Sequence, residues 1–193
     1  MPVDDFVSVV SAPTADKPFE HTYTVDRLGN VIEAGGVLYL NLKPERLKQL
    51  AIAQLKDGLP VWFGCDVAQS YLREEGIMDT ASLDVDSVFG FPVEGALDKA
   101  ERLDYGESAM THAMVLEGVN LDSEERPTLW KVENSWGKDH GKDGFDSITD
   151  EWFDGYVFQV VVDRKYLTAS EREILETEKP AVLAPWDPLG SLA

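Results

Sequence analysis

"WKVENSWGKDHGKDG", residues 130–144, decides how the rest of the chain is read. Its first residues alternate apolar and polar, the pattern of a half-buried strand. An Asn-Ser-Trp-Gly turn follows, and then a loop rich in glycine and charge. Asn134 therefore closes a strand, and Trp136 stands two residues beyond it.

Upstream, "THAMVLEGV" (111–119) also reads as a strand, and the turn-rich "NLDSEERP" separates it from "LWKVEN" (129–134). Two such runs around a turn predict an antiparallel pair. His112 opens the first strand and Asn134 closes the second, so an antiparallel arrangement brings imidazole and carboxamide to one end of a sheet. Spacing alone allows two readings. The pair consists of unrelated polar residues at strand ends, or the Asn oxygen accepts from one ring nitrogen of His112 and aims the other outward. In the second reading Trp136 covers the bond and excludes water, which strengthens it.

The surrounding chain predicts an α+β fold. "VLYLNL" (37–42) is a short strand. A helix follows it, with Pro44 in the first turn and Leu47, Leu50, Ala51 and Leu55 as its apolar stripe; Gly58 and Pro60 stop it. "VWFGCDV" (61–67) reads as a buried strand. Asp66 with Gln69 suggests a capped helix to about Glu75, ended by Gly76. Residues 77–95 read as irregular, 96–103 as a short helix, "TDEWFDGY" as a helical turn and "VFQVVVD" (157–163) as a strand. Thr168 and Glu171 form a capping-box signal for a last helix to about Thr177. The proline-rich tail is expected to be extended.

The 193 residues suit a single domain spanning 1–193, with 180–193 as an extended C-terminal arm. A formal charge of −19 makes nucleic acid and anionic membrane surfaces poor partners. One cysteine, Cys65, excludes an internal disulfide and a four-thiolate zinc site. The acidic, proline-broken "MPVDDFVSVVSAP" is not a signal peptide, and a cytoplasmic location is expected. No cofactor or metal is expected. Residues 139–150 carry part of a calcium-loop pattern, but position 3 is Gly141 and position 12 lacks the usual Glu. His21 and His140 read as solvated loop residues, and Trp152, Phe153 and Tyr156 as core.

"MTHAMVLEGV", "WKVENSWG" and "GKDGF" resemble the His and Asn segments of papain-like cysteine peptidases. With "DFVSVVSAPTADKPF", "YTVDRLGNV", "GLPVWFGCDV", "GIMDT", "KAERLDYGES" and "LAPWDPLGSLA", the chain resembles the bleomycin hydrolase / aminopeptidase C family, in its C-terminal part. The resemblance implies a papain-like fold, mainly its antiparallel, barrel-like sheet half with a few flanking helices. It implies that His112 is general base and acid towards a Cys nucleophile, that Asn134 orients His112, and that Trp136 shields their bond. It implies peptide substrates and homo-oligomers, hexameric in full-length members. It also implies that the arm enters the cleft and that the Ala193 carboxylate anchors the substrate's free amine.

One departure from the family matters. His112 has 111 residues before it, and Cys65 is the single Cys among them. In papain itself His and Asn follow the nucleophile by roughly 130–150 residues. No Gln stands six residues before Cys65; position 59 is Leu. Cys65 is therefore not expected to be the nucleophile, since Asp66 beside it disfavours a thiolate and its strand reads as buried. The resemblance therefore implies that nucleophile and oxyanion Gln belong to a missing N-terminal catalytic half, and the chain alone is expected to be inactive. The alternatives are a naturally short, non-catalytic peptide-binding or assembly module, and one half of a split enzyme.

Overall fold

The computed structural model describes residues 5–29, 36–93 and 97–191. In chain order, β1 (Phe6–Val10), β2 (His21–Val25) and β3 (Tyr39–Asn41) precede α1 (Pro44–Lys56) and β4 (Val61–Cys65). The two-residue strands β5 (Tyr71–Leu72) and β6 (Ile77–Met78) and the short helices α2 (Val85–Phe89) and α3 (Lys99–Asp104) come next. Then follow β7 (His112–Leu121), β8 (Pro127–Glu133), β9 (Phe145–Thr149), α4 (Asp150–Tyr156), β10 (Val157–Asp163), α5 (Ala169–Thr177) and β11 (Ala181–Leu183).

The fold is α+β. Its strands form one sheet, ordered β11-β2-β3-β1-β10-β4-β7-β8-β9-β6-β5 among the described residues. Most neighbours are antiparallel; β1–β3, β2–β11 and β6–β9 are parallel. The central pair is the one expected. β7 and β8 run antiparallel with Val115 opposite Glu133.

α1 forms as its pattern predicts. Pro44 occupies its first turn, Leu47, Leu50 and Ala51 are buried, and Gly58 follows at φ 76°. The larger core lies on the sheet face that α1 and α4 cover, where Trp130 stacks on Phe153 at 4.7 Å between centroids. Trp152 and Phe153 are fully buried there, as expected. A smaller core gathers Tyr39, Phe158, Met110, Leu103 of α3 and Leu189 of the tail.

The helix expected from Asp66 to Glu75 does not form. The Asp66 carboxylate accepts from Ser108 Oγ at 2.9 Å and Gln69 Nε2 at 3.0 Å, so it is drawn away from the amides it would have capped. Ser70 then adopts φ 44°, which interrupts any helix. The segment instead turns into β5 and β6. Residues 77–93 are less irregular than expected, because Asp84 caps α2 by accepting from Ser87 N. Strands β1, β2 and β9 were not predicted either.

The tail is docked as far as it is described. β11 pairs in parallel with β2. Beyond it, Lys17 Nζ meets Asp187 at 3.1 Å and Tyr39 Oη donates to the Leu189 carbonyl at 3.1 Å. Ser191 Oγ donates to the Met110 carbonyl, two residues before His112. A turn at Pro188–Gly190 interrupts the extended course expected for the arm.

Candidate active site

The ends of β7 and β8 bring His112 and Asn134 together. Asn134 Oδ1 lies 3.1 Å from His112 Nε2 and also accepts the Ser135 amide at 2.9 Å. Asn134 is 7% exposed. Its position is fixed from the backbone too, because its N–H donates to the Gly144 carbonyl at 3.1 Å and closes the loop that follows. With Nε2 as donor, the lone pair falls on Nδ1, which is left for a different partner.

Trp136 lies over the pair, with its ring centroid 4.9 Å from that of His112 and a tilt of 35°. It also meets His140, edge-on at 4.8 Å, the Tyr71 ring at 6.1 Å, and the Arg73 guanidinium, 5.1 Å from the ring centroid. The indole is thus clamped between the site and the loop. A groove of about 320 Å³ runs beside it, lined by Trp62, Ala113, Val115 and Asn134 among others.

Three residues not read from the sequence complete the cluster. Asp146, 2% exposed, accepts from Asn134 Nδ2 at 2.9 Å and Tyr71 Oη at 3.0 Å, both on Oδ2. His140 Nε2 lies 3.3 Å from Asp146 Oδ1, an ion-pair distance without the alignment of a hydrogen bond, and it touches Tyr71 Oη. Burial, and then the Asp146 carboxylate, push the Tyr71 phenol up, so it stays a donor. Gly76 and Gly141 roof the carboxylate: a Cβ at either position would come within 2.8 Å or 2.6 Å of Asp146 Oδ1. His140 is therefore part of the site and is not solvated as expected. His21 is exposed, as expected, but it sits on β2 and not in a loop, with Nδ1 2.5 Å from Glu178. The sequence carries no signal for Asp146, because its place beside Ile148 on the inward face of β9 follows only once that strand is known.

Cys65 stands opposite His112 in the β4–β7 register, but the residue is fully buried in the larger core. Burial pushes its thiol well above the ordinary value, and Asp66 adds to this. The calcium-loop pattern is not assembled. Asp150 ends up on α4, where it takes Lys48 Nζ at 2.7 Å and Trp130 Nε1 at 3.2 Å. Ala193, the expected substrate anchor, lies outside the described residues.

The chain is similar to proteins of known name. It is 52% identical over 191 residues to Aminopeptidase C of Lactococcus lactis subsp. lactis, covering 99% of this chain and 43% of that protein. It is 42% identical over 193 residues to human Bleomycin hydrolase, covering 99% of this chain and 42% of that protein. The solved structure of pepw from Lactobacillus rhamnosis HN001 superposes with a TM-score of 0.95 at 53% identity, over 100% of this chain and 43% of that one. The chain thus spans less than half the length of the curated relatives it matches. The profile of the Peptidase C1-like family matches residues 1–190. Together with the His–Asn pair, a match of that extent means that this chain belongs to the Peptidase C1-like family.

Proposed function

We propose that the chain is the His- and Asn-bearing C-terminal part of a cysteine aminopeptidase of the aminopeptidase C / bleomycin hydrolase kind. The observation that carries this reading is the bond from His112 Nε2 to Asn134 Oδ1, which leaves Nδ1 for a thiol. In this reading a cysteine outside these residues gives its proton to Nδ1, and its thiolate attacks the first peptide carbonyl. The imidazolium returns that proton to the departing amine. A water then loses a proton to Nδ1 as it attacks the thioester, and the acid and the free thiol are released. The positive charge on His112 is met by the Asn134 oxygen in both halves.

The burial of Cys65 and its raised thiol argue against that residue as nucleophile. The nucleophile and the oxyanion Gln are assigned to the N-terminal half that the relatives carry. The docking of Ser191 beside Met110 supports a tail that leads towards the site, with the Ala193 carboxylate pairing with the substrate's amine. Cytoplasmic location and assembly into homo-oligomers belong to the same reading. Among the described residues no helix is long and apolar enough to cross a membrane.

The test is reconstitution. The chain alone should release no chromophore from aminoacyl anilides, and addition of the separately produced N-terminal half should restore thiol-blocker-sensitive turnover. Turnover by the chain alone that a thiol blocker abolishes would overturn the reading. In the reconstituted enzyme, removal of the last few residues should move cleavage from the N-terminus to internal bonds. Unchanged products on a peptide ladder would remove the anchor role from Ala193.

A further inference from the structure

We infer that Asp146 is a positioning residue: its carboxylate sets which way the Asn134 amide faces, and thereby which ring nitrogen of His112 carries the proton. The inference rests on the reading of His112 as the acid–base residue, and it goes beyond that reading by placing the control of the proton one residue further back.

An Asn side chain has two orientations of nearly equal shape, and its hydrogen bonds decide between them. Here both ends are committed. Ser135 N donates to Oδ1 at 2.9 Å, and Asp146 Oδ2 accepts from Nδ2 at 2.9 Å. Turning the amide over would set its NH2 group against the Ser135 N–H and its oxygen against a carboxylate. The Ser135 amide opposes the flip from one end of the rigid carboxamide, and Asp146 opposes it from the other with a charged acceptor, the stronger of the two constraints. With Oδ1 fixed towards His112 at 3.1 Å, the proton belongs on Nε2 and the lone pair on Nδ1.

The location of Asp146 fits such a role. It occupies an inward-facing position of β9, where Ile148 fills the next one with an apolar side chain. A carboxylate there is costly, and an apolar residue would serve packing better. Its ion-pair partner among the described residues is His140, and Tyr71 supplies a second hydrogen bond. The groups that face it are thus Tyr71 of β5, His140 and Asn134; no Lys or Arg of the described residues pairs with it. Gly76 and Gly141 close the space above it, so water does not replace its bonds.

The chain has three histidines, His21, His112 and His140, so nitrogen NMR of their rings resolves each tautomer. In alkaline buffer His112 should be wholly Nε2–H, and the Asn134 NH2 protons should exchange slowly. A Nδ1–H form of His112, or rapid exchange at Asn134, overturns the inference without any variant. Asp146→Leu should give a mixture of His112 tautomers, with His21 unchanged. Asp146→Asn should rescue: its carbonyl takes the place of Oδ2 and still accepts from Asn134 Nδ2, so His112 stays Nε2–H. A purely Nε2–H His112 in folded Asp146→Leu overturns the inference, and so does a mixed His112 in Asp146→Asn. If Asp146→Leu does not fold, the parent and Asp146→Asn spectra still decide. In the reconstituted enzyme Asp146→Leu should lower kcat by roughly ten- to hundredfold with KM little changed, a part of the ~10²–10⁴ that acid–base work supplies. Lack of turnover by the reconstituted parent with His112 wholly Nε2–H counts against the aminopeptidase reading alone; a parent with full turnover and His112 in the Nδ1–H form counts against Asp146 alone.

Discussion

Asn134→Ala separates the two partners of the site. It removes the acceptor that faces His112 and leaves the Asp146 carboxylate with one donor fewer. Reconstituted enzyme carrying it should lose roughly tenfold or more in kcat, judged against the scale of acid–base catalysis. Folding should also weaken, by about 1–3 kcal/mol for a buried acceptor left short of a donor, read from a urea melt. Cys65 gives a second prediction at this scale. It is fully buried and its thiol is raised, so a thiol reagent should not label the native chain and should label it once on denaturation. Labelling at the rate of a free thiol would contradict the packing. His112, Asn134 and Trp136 were legible because strand ends and a turn mark them in sequence. Asp146 and His140 were not, because glycine and charge around them resemble a solvated loop. Their burial depends on Tyr71 and Gly76, about seventy residues away in sequence.

Among the elements, α5 was legible to its first residue. The Thr168–Glu171 capping box forms with both bonds, Glu171 N to Thr168 Oγ1 and Thr168 N to Glu171 Oε2. Thr168→Ala should cost about 1 kcal/mol in a denaturant melt. Glu171 also binds Arg46 of α1 through 2.7 Å and 2.9 Å contacts, a tie the sequence did not suggest. Burial alone would raise its carboxyl, but Arg46 and the capping bonds overcome this and hold it below the ordinary value. A lowered carboxyl stabilises the fold above its unfolded value of 4.5 and loses that contribution as pH falls through its folded value. Glu171→Gln should therefore narrow the gap between neutral and acidic stability. The helix wrongly expected after Asp66 shows the opposite outcome. A local capping signal lost to Ser108, a residue distant in the chain. β9 was missed because its inward Asp146 broke the apolar alternation.

At the scale of the whole molecule, the smaller core carries a pH signature. Lys99 of α3 donates to the Val157 carbonyl at 2.6 Å and lies 4.9 Å from the centre of the Phe158 ring. Those contacts favour the ammonium, but burial outweighs them and pushes Lys99 down to about 7. A lysine lowered in the folded state binds its proton more tightly when unfolded, so its contribution to stability increases as pH rises from about 7 towards 10.5. The parent should gain stability over Lys99→Met between neutral and mildly alkaline pH; parallel curves for the two proteins would remove Lys99 as the cause. Trp62, which lines the groove beside the site, and Trp136 are each more than a third exposed. Such aromatic surface favours self-association of the isolated chain. Ultracentrifugation of the chain alone should show species larger than a monomer; a single monomeric species would contradict this.

The pairing of β11 with β2 bears on how any shortened form behaves. β2 is five residues long, and the three residues of β11 cover its outer edge. At the opposite margin β5 has two residues, too few to recruit another chain readily. Cutting back only the terminal residues leaves β11 in place. A cut before Ala181 would bare β2 as a template for foreign strands, and the product should thicken into fibrils that bind amyloid dyes. On this prediction the tail has a second use, covering the edge of β2, separate from any contact it makes with a substrate.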